Sequence, residues 1–305
     1  DEVKKINPEI IMCSISFAGQ EGPLANEPGF DYMAAAYAGI TEMIGENDRS
    51  PSQVSMAVGD SATGISAAMA VVVALLHRER TGEGQFIDCS LLDTYLQMHE
   101  DYIPRVGLRG DAASPERSGS QHPNGGPTGI FECGDGSFLQ MMIMPYQWPR
   151  LLQAIGMPEL EKDTRFNSPQ NRRKNKYELQ GIIEQWMAKI GDRQDILTIL
   201  KDQRVPVAPV LTLQEAINHP HAIQRGAIRQ IKDPFIGNFP IPGQPPIFSK
   251  WSHKNELRAP LLGEHNEEIL TTICGLDKSE IVALHENGII NTDPTFLESS
   301  PDPLK

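Results

Sequence analysis

Cysteine is scarce in this chain and poorly spaced for joint chemistry. Cys13, Cys89, Cys133 and Cys274 lie far apart with no C-x-x-C pair, which points away from a disulfide framework and a zinc site and towards reduced cytosolic thiols. Histidine is equally unhelpful for a metal: eight residues are scattered, and only His219 and His221, on either side of Pro220, stand close together. Positive charge is short, with 27 Lys and Arg against 40 Asp and Glu, a net of -13. No basic run offsets that balance, so neither a nucleic acid nor an anionic membrane is an expected partner. The longest unbroken apolar run, Ala67–Leu76, falls short of the ~20 residues that span a bilayer, and no signal peptide is visible. The expectation is therefore a cytoplasmic protein with no metal and no permanently bound cofactor. Its 305 residues, 39% of them apolar, suffice for one large domain or two.

What is present centres on Val58-Gly59-Asp60-Ser61-Ala62-Thr63-Gly64. No charge occurs from Ser61 to Leu76, which predicts a helix buried on most of its faces. Asp60 is expected at its N-cap, where the free backbone N–H groups and the helix dipole favour an ionised carboxylate. Asp60 is then either a cap alone or a carboxylate that also performs chemistry. Gly59 and Gly64 beside it leave room for a large group to approach.

Upstream, Glu9–Ser16 reads as a strand of a covered parallel sheet, Gly19–Pro28 as a loop and Gly29–Ile44 as a helix with the small residues Ala34, Ala35, Ala36 and Ala38. A parallel strand needs neighbours, and the chain opens without methionine or an earlier strand, so an N-terminal part of the natural protein is expected to be absent. Downstream, Thr81-Gly82-Glu83-Gly84 turns into the strand Gln85–Ser90, followed by a helix from Leu91 to about Ile103. Gly107–Pro127 shifts in composition to Gly, Ser, Pro and charge and marks a domain boundary.

Beyond it, Thr128–Cys133 and Ser137–Met144 flank Gly134-Asp135-Gly136 as a hairpin. Helices are expected at Tyr146–Ile155, Pro169–Ile190 and Arg193–Gln203. Met141, Met142 and Met144 are expected in the core, and Arg172, Arg173, Lys174 and Lys176 on a solvated helix face. Phe239–Pro246 must be extended. Late helices are expected near Glu264–Ile273 and Lys278–Glu286, before a loosely held tail from Asp293. The expected division is a first part of a large α/β domain over 1–122, a small α+β domain over 123–225, and a return to the large domain over 226–305.

The run Val58–Gly64, its long helix and His77-Arg78-Glu79-Arg80-Thr81-Gly82-Glu83-Gly84-Gln85 together resemble the class III CoA-transferases, the family that includes formyl-CoA transferase and carnitine CoA-transferase. Ile6-Asn7-Pro8, Gly19-Gln20-Glu21-Gly22-Pro23, Asn124-Gly125-Gly126-Pro127 and Val205-Pro206-Val207-Ala208-Pro209-Val210 resemble members in the same order. The resemblance implies a Rossmann-like large domain formed by both ends of the chain, and a small α+β domain. It also implies an interlocked homodimer and the use of acyl-CoA and free carboxylic acids as substrates. It assigns Asp60 as the nucleophile, working through a mixed aspartyl anhydride and an aspartyl-CoA thioester.

The same resemblance makes the loop Asn124, Gly125 and Gly126 a cover for those intermediates, with a plain interdomain turn as the other reading. For Gly125 and Gly126 positive φ or close approach is expected. The family also contains α-methylacyl-CoA racemases, which use a histidine in a Gly-His-Asp run; here that run is Gly29-Phe30-Asp31, and Phe30 cannot carry a proton. Racemase activity stays as the alternative, as does a non-catalytic fragment or assembly partner. Asp31 either lines the site or is an ordinary helix-start charge.

Overall fold

The computed structural model describes residues 2–123, 125–233, 236–251 and 258–294. They fall into two compact units, Asp1–Val210 and Leu211–Lys305.

The first unit opens with a short helix α1 (Glu2–Ile6) and strand β1 (Met12–Ser16), then helix α2 (Asp31–Tyr37) and the long helix α3 (Val58–Thr81). Gly82 ends α3 in a left-handed conformation that a side chain would disfavour, with its N–H bonded to the Arg78 carbonyl. Strand β2 (Phe86–Ser90) follows and pairs in parallel with β1, from Met12 opposite Phe86 to Ser16 opposite Ser90. Parallel neighbours require a crossover, and α2 and α3 supply it. Helices α4 (Leu91–Gln97) and α5 (Tyr102–Arg109) replace the single helix expected from Leu91 to Ile103. The expected Gly29–Ile44 helix is likewise shorter, since α2 stops at Tyr37 and only a 3-10 turn, Thr41–Met43, follows.

A small core joins these elements. Ala34 and Ala35 of α2 and nearby Ala38 bury against Phe17, Leu91 and Tyr95, while Ala36 is exposed. Burial elsewhere in this region is thin. Helix α3 packs against β1, β2, α2 and α4, yet its buried residues are only Gly59, Thr63, Ala67 and Ala74. Ile65 is 70% exposed and Met69 65%. The expectation of a helix buried on most faces is thus corrected: a nearly all-apolar helix has no periodic stripe to say how many faces are covered. β1 and β2 are not a covered sheet either, because Met12, Ile15 and Phe86 are exposed. Counting the whole 24-residue helix rather than Ala67–Leu76 also corrects the length estimate, since α3 is long and apolar enough to cross a membrane by length and composition.

The rest of the first unit carries the larger core. Strands β3 (Thr128–Glu132) and β4 (Phe138–Met142) form the expected antiparallel hairpin, and β5 (Val207–Pro209) adds antiparallel to β4. At the hairpin turn the Asp135 carboxylate accepts from the Ser137 N–H at 2.9 Å. Of the helices α6 (Trp148–Ile155), α7 (Pro169–Lys174), α8 (Lys176–Ile190) and α9 (Arg193–Asp202), α8 packs on β3 and α9 on β5, with Phe131, Leu139, Met141, Leu151, Ile183 and Leu200 in the packed interior. The alternation of β4 buries Met141 but leaves Met142 exposed, and Met144 is exposed beyond it, so only one of the three methionines fills core. Pro169–Ile190 is two helices parted at Asn175, not one.

The second unit contains α10 (Leu213–Ile217) and α11 (Pro220–Gln224), the antiparallel pair β6 (Ile228–Asp233) and β7 (Gly237–Pro242), and helices α12 (Asn266–Thr272) and α13 (Lys278–Glu286). Capping boxes at Thr212 with Glu215 and at Asp277 with Glu280 start α10 and α13. β7 tolerates Pro240 and Pro242 because, among the described residues, its sheet has only the one partner strand. Most of the tail expected to be loosely held, from 295 on, lies outside the described residues.

Candidate active site

Helix α3 begins with a problem of unsatisfied donors. The first N–H groups of any helix lack intrahelical acceptors, and a Ser, Thr, Asp or Asn N-cap usually supplies one. Here the N-cap is Ala57, which has no side-chain acceptor, and Asp60 is the third residue of the helix. The expected N-cap role of Asp60 is corrected accordingly. Its position in the first turn still places a negative charge at the positive end of the dipole.

The missing cap is replaced from two other helices. The Gly59 N–H donates to the Tyr95 hydroxyl oxygen at 3.0 Å, and the Asp60 N–H points to Asp31 Oδ2 at 3.4 Å. The Tyr95 O–H in turn donates to Asp31 Oδ1. Asp31 is the first residue of α2 and only 4% exposed, while Tyr95 of α4 is 5% exposed. Asp60 itself is exposed, and its carboxylate has no hydrogen-bond partner among the described residues. The site thus holds one carboxylate buried and engaged and a second one open to solvent.

The chemistry of Tyr95 follows from this setting. Burial, then the hydrogen bond to Asp31, push its phenol up to about 12, with the charges of Asp31 and Asp60 adding to the effect and the Gly59 N–H opposing it. Tyr95 therefore stays protonated at neutral pH and keeps donating to Asp31. Local sequence explains how it arrives: Ser90 caps α4 by accepting from the Asp93 N–H at 2.9 Å, and Leu91 and Tyr95, four residues apart, share the buried face.

Gly59 is needed for close approach. A Cβ there would overlap the Tyr95 ring and lie 2.7 Å from Asp31 Oδ1. Gly64, in contrast, faces open space. Phe30 is the N-cap of α2 and is 74% exposed, offering neither a cap hydrogen bond nor a proton. Beside the same turn lies a cavity of about 350 Å³, whose lining includes Val58, Tyr95, Tyr32, Met56 and Met98 and no Asp, Glu, Lys or Arg.

The glycine loop is held elsewhere in the unit. Asn124 lies outside the described residues. The Gly126 carbonyl accepts from Arg172 Nε at 3.3 Å, and a Cβ on Gly126 would stand 3.2 Å from the Arg172 carbonyl oxygen. Gly126 thus meets the expectation of close approach, without the positive φ. Gly125 sits against Thr128 and His122. Among the described residues these contacts run to Arg172, Thr128 and His122 and not to Asp60. Arg172 is 4% exposed, donates to the Phe166 carbonyl at 2.8 Å and stacks over the Trp148 ring at 4.6 Å, so its expected place on a solvated face is corrected. Burial lowers its pKa from the usual guanidinium value.

Of the candidates read from sequence, Asp31, Gly59 and Asp60 converge at the start of α3 with Phe30 adjacent. Gly125 and Gly126 pack against Thr128, His122 and Arg172. Tyr95 was missed. The available signal was an aromatic hydroxyl at the spacing of a buried helix face, which needs a polar partner.

The profile of CoA-transferase family III matches residues 1–266. Over 95% of its length the chain is 33% identical to the succinyl-CoA–D-citramalate CoA-transferase of Chloroflexus aurantiacus, covering 72% of that protein. It is 31% identical to the succinate–glutarate CoA-transferase of Agrobacterium fabrum over 92% of this chain and 69% of that one. A crystal structure of a CAIB/BAIF family protein from Brucella suis, 31% identical, superimposes with a TM-score of 0.74 over 92% of this chain and 70% of that one.

The packing at the start of α3 predicts the effect of one methyl group. Gly59→Ala should destabilise the protein by roughly 1–3 kcal/mol through overpacking against Tyr95 and Asp31. Urea unfolding measures it, and a midpoint equal to wild type would contradict the close approach.

Proposed function

Because the chain belongs to CoA-transferase family III, and is thus a class III CoA-transferase, we propose that Asp60 is the residue on which CoA is exchanged between two carboxylic acids. An Asp60 carboxylate oxygen attacks the acyl-CoA carbonyl, the C–S bond breaks, and CoA leaves as the thiolate with an acyl–aspartyl anhydride behind it. The thiolate then attacks the aspartyl carbonyl of the anhydride, releasing the donor acid and leaving an aspartyl-CoA thioester. An acceptor carboxylate attacks that thioester, and the freed thiolate attacks the acceptor's acyl carbonyl, regenerating Asp60. Each step exchanges one leaving group for another, with no net proton or water.

The observation that carries this reading is the contrast between the two carboxylates at the start of α3. Asp31 is buried and engaged by Tyr95, whereas Asp60 is exposed in the first helical turn and free to approach a carbonyl. Carboxylates are weak nucleophiles, so orientation and a favourable local field matter more here than for a thiolate. Phe30 argues against racemisation at this site, since no second acid–base group stands at its position. For donor and acceptor we propose short carboxylic acids, with succinyl-CoA as first donor to test, because the two relatives above are named for succinyl-CoA or succinate.

We also propose that the chain acts as a homodimer. The support is the breadth of apolar surface left exposed on α3, β1 and β2, more than isolated surface residues would give. Light scattering of the protein at micromolar concentration should return twice the chain mass, and a purely monomeric species would contradict the proposal.

The nucleophile is tested by trapping. Protein mixed with acyl-CoA and then hydroxylamine should carry a hydroxamate at Asp60 in its peptide mass map. Asp60→Ala should lose more than about 10⁴-fold in kcat. Wild-type transfer by that variant would remove Asp60 from the reaction.

A further inference from the structure

We propose that Asp31 and Tyr95 are positioning residues for Asp60: they hold the first turn of α3 in place of an N-cap side chain and so set the direction in which the Asp60 carboxylate meets its substrate. The proposal rests on the reading of Asp60 as nucleophile and adds how that nucleophile is aimed.

Three observations carry it. The N-cap Ala57 cannot satisfy the first-turn donors, and the groups that do come from far along the chain. Tyr95 is 36 residues from Gly59, and Asp31 is 29 residues from Asp60. A local cap would steady α3 alone, whereas these partners lock its first turn to α2 and α4 together. Second, both are buried and bonded to each other, so each limits the other's rotation. Third, the Tyr95 ring packs where a Gly59 side chain would stand, adding steric contact to the hydrogen bond.

Direction matters because Asp60 has little else to hold it. Among the described residues its carboxylate has no hydrogen-bond partner, so the backbone at Gly59 and Asp60 is what orients it. A carboxylate that must attack a thioester carbonyl depends on a near-attack geometry, and a displacement of about 1 Å costs on the order of 100-fold in rate.

The test uses the full protein with an acyl-CoA donor and a free acid, and compares Tyr95→Phe, Asp31→Asn and Asp31→Ala. Tyr95→Phe keeps the ring and removes the acceptor for Gly59. Its kcat should fall by roughly 100-fold with KM nearly unchanged and the fold intact by near-ultraviolet circular dichroism. Amide hydrogen exchange over 58–60 should quicken. Asp31→Asn retains an oxygen that can accept from Tyr95, and should keep a larger share of kcat than Asp31→Ala.

Wild-type kcat in folded Tyr95→Phe overturns the proposal, as does a loss that merely follows the folded fraction. Should Tyr95→Phe fail to fold, equal kcat in Asp31→Asn and Asp31→Ala overturns it instead. Asp60→Ala run in parallel separates the two ideas. Transfer that survives there removes the nucleophile itself; transfer lost there but untouched in Tyr95→Phe removes only the positioning.

Discussion

The start of α3 depends on how its open donors are satisfied. A helix whose N-cap is alanine presents bare N–H groups, and leaving such groups buried without acceptors costs roughly 1–3 kcal/mol each. Tyr95 and Asp31 accept from Gly59 and Asp60 and are tied to each other. That arrangement explains Gly59, because a side chain there would displace the ring. It explains the burial of Asp31, whose carboxyl oxygens face the Tyr95 hydroxyl and the Asp60 N–H. Asp60, in the same turn, is left exposed.

A second constraint acts on the region around β3. Arg172, buried over Trp148, bonds to the carbonyl of Gly126 and to that of Phe166, so a single cation ties the glycine loop to the turn before α7. Replacing it would leave two carbonyls short of a donor and a tryptophan face uncovered. The two arrangements differ in origin: the start of α3 is organised by a carboxylate and a phenol, the loop by a guanidinium.

Much of the fold was legible because its signals are local. The hairpin around Gly134-Asp135-Gly136, the helices Arg193–Asp202 and Lys278–Glu286, and the turn into Phe86–Ser90 follow from turn residues, caps and periodicity that neighbours in sequence supply. That Asp60 stands in the first turn of a long helix was legible from the uncharged run behind it. What failed was what depends on distant partners. The cap of α3 comes from residues at 31 and 95, so the nearest acidic residue was taken for it. The exposure of Ile65 and Met69 could not be seen, since an apolar helix looks the same whether or not its faces are covered. Arg172 looked solvated for the same reason: its burial is set by Trp148 and Gly126, not by its basic neighbours in α7.

On the proposed route the acceptor acid passes through a covalent bond to Asp60, and tracing oxygen reveals that bond. With an acceptor acid labelled by ¹⁸O in both carboxylate oxygens, the attack on the aspartyl-CoA thioester places a labelled oxygen in the anhydride bridge, and the thiolate's attack on the acceptor acyl carbon leaves that oxygen on Asp60. After a single turnover, mass spectrometry of the peptide containing Asp60 should show one heavy oxygen, located on that side chain, and a second should enter as turnover continues. Efficient transfer with no label entering Asp60 would contradict the account and require a route in which the two acids exchange CoA without this carboxylate.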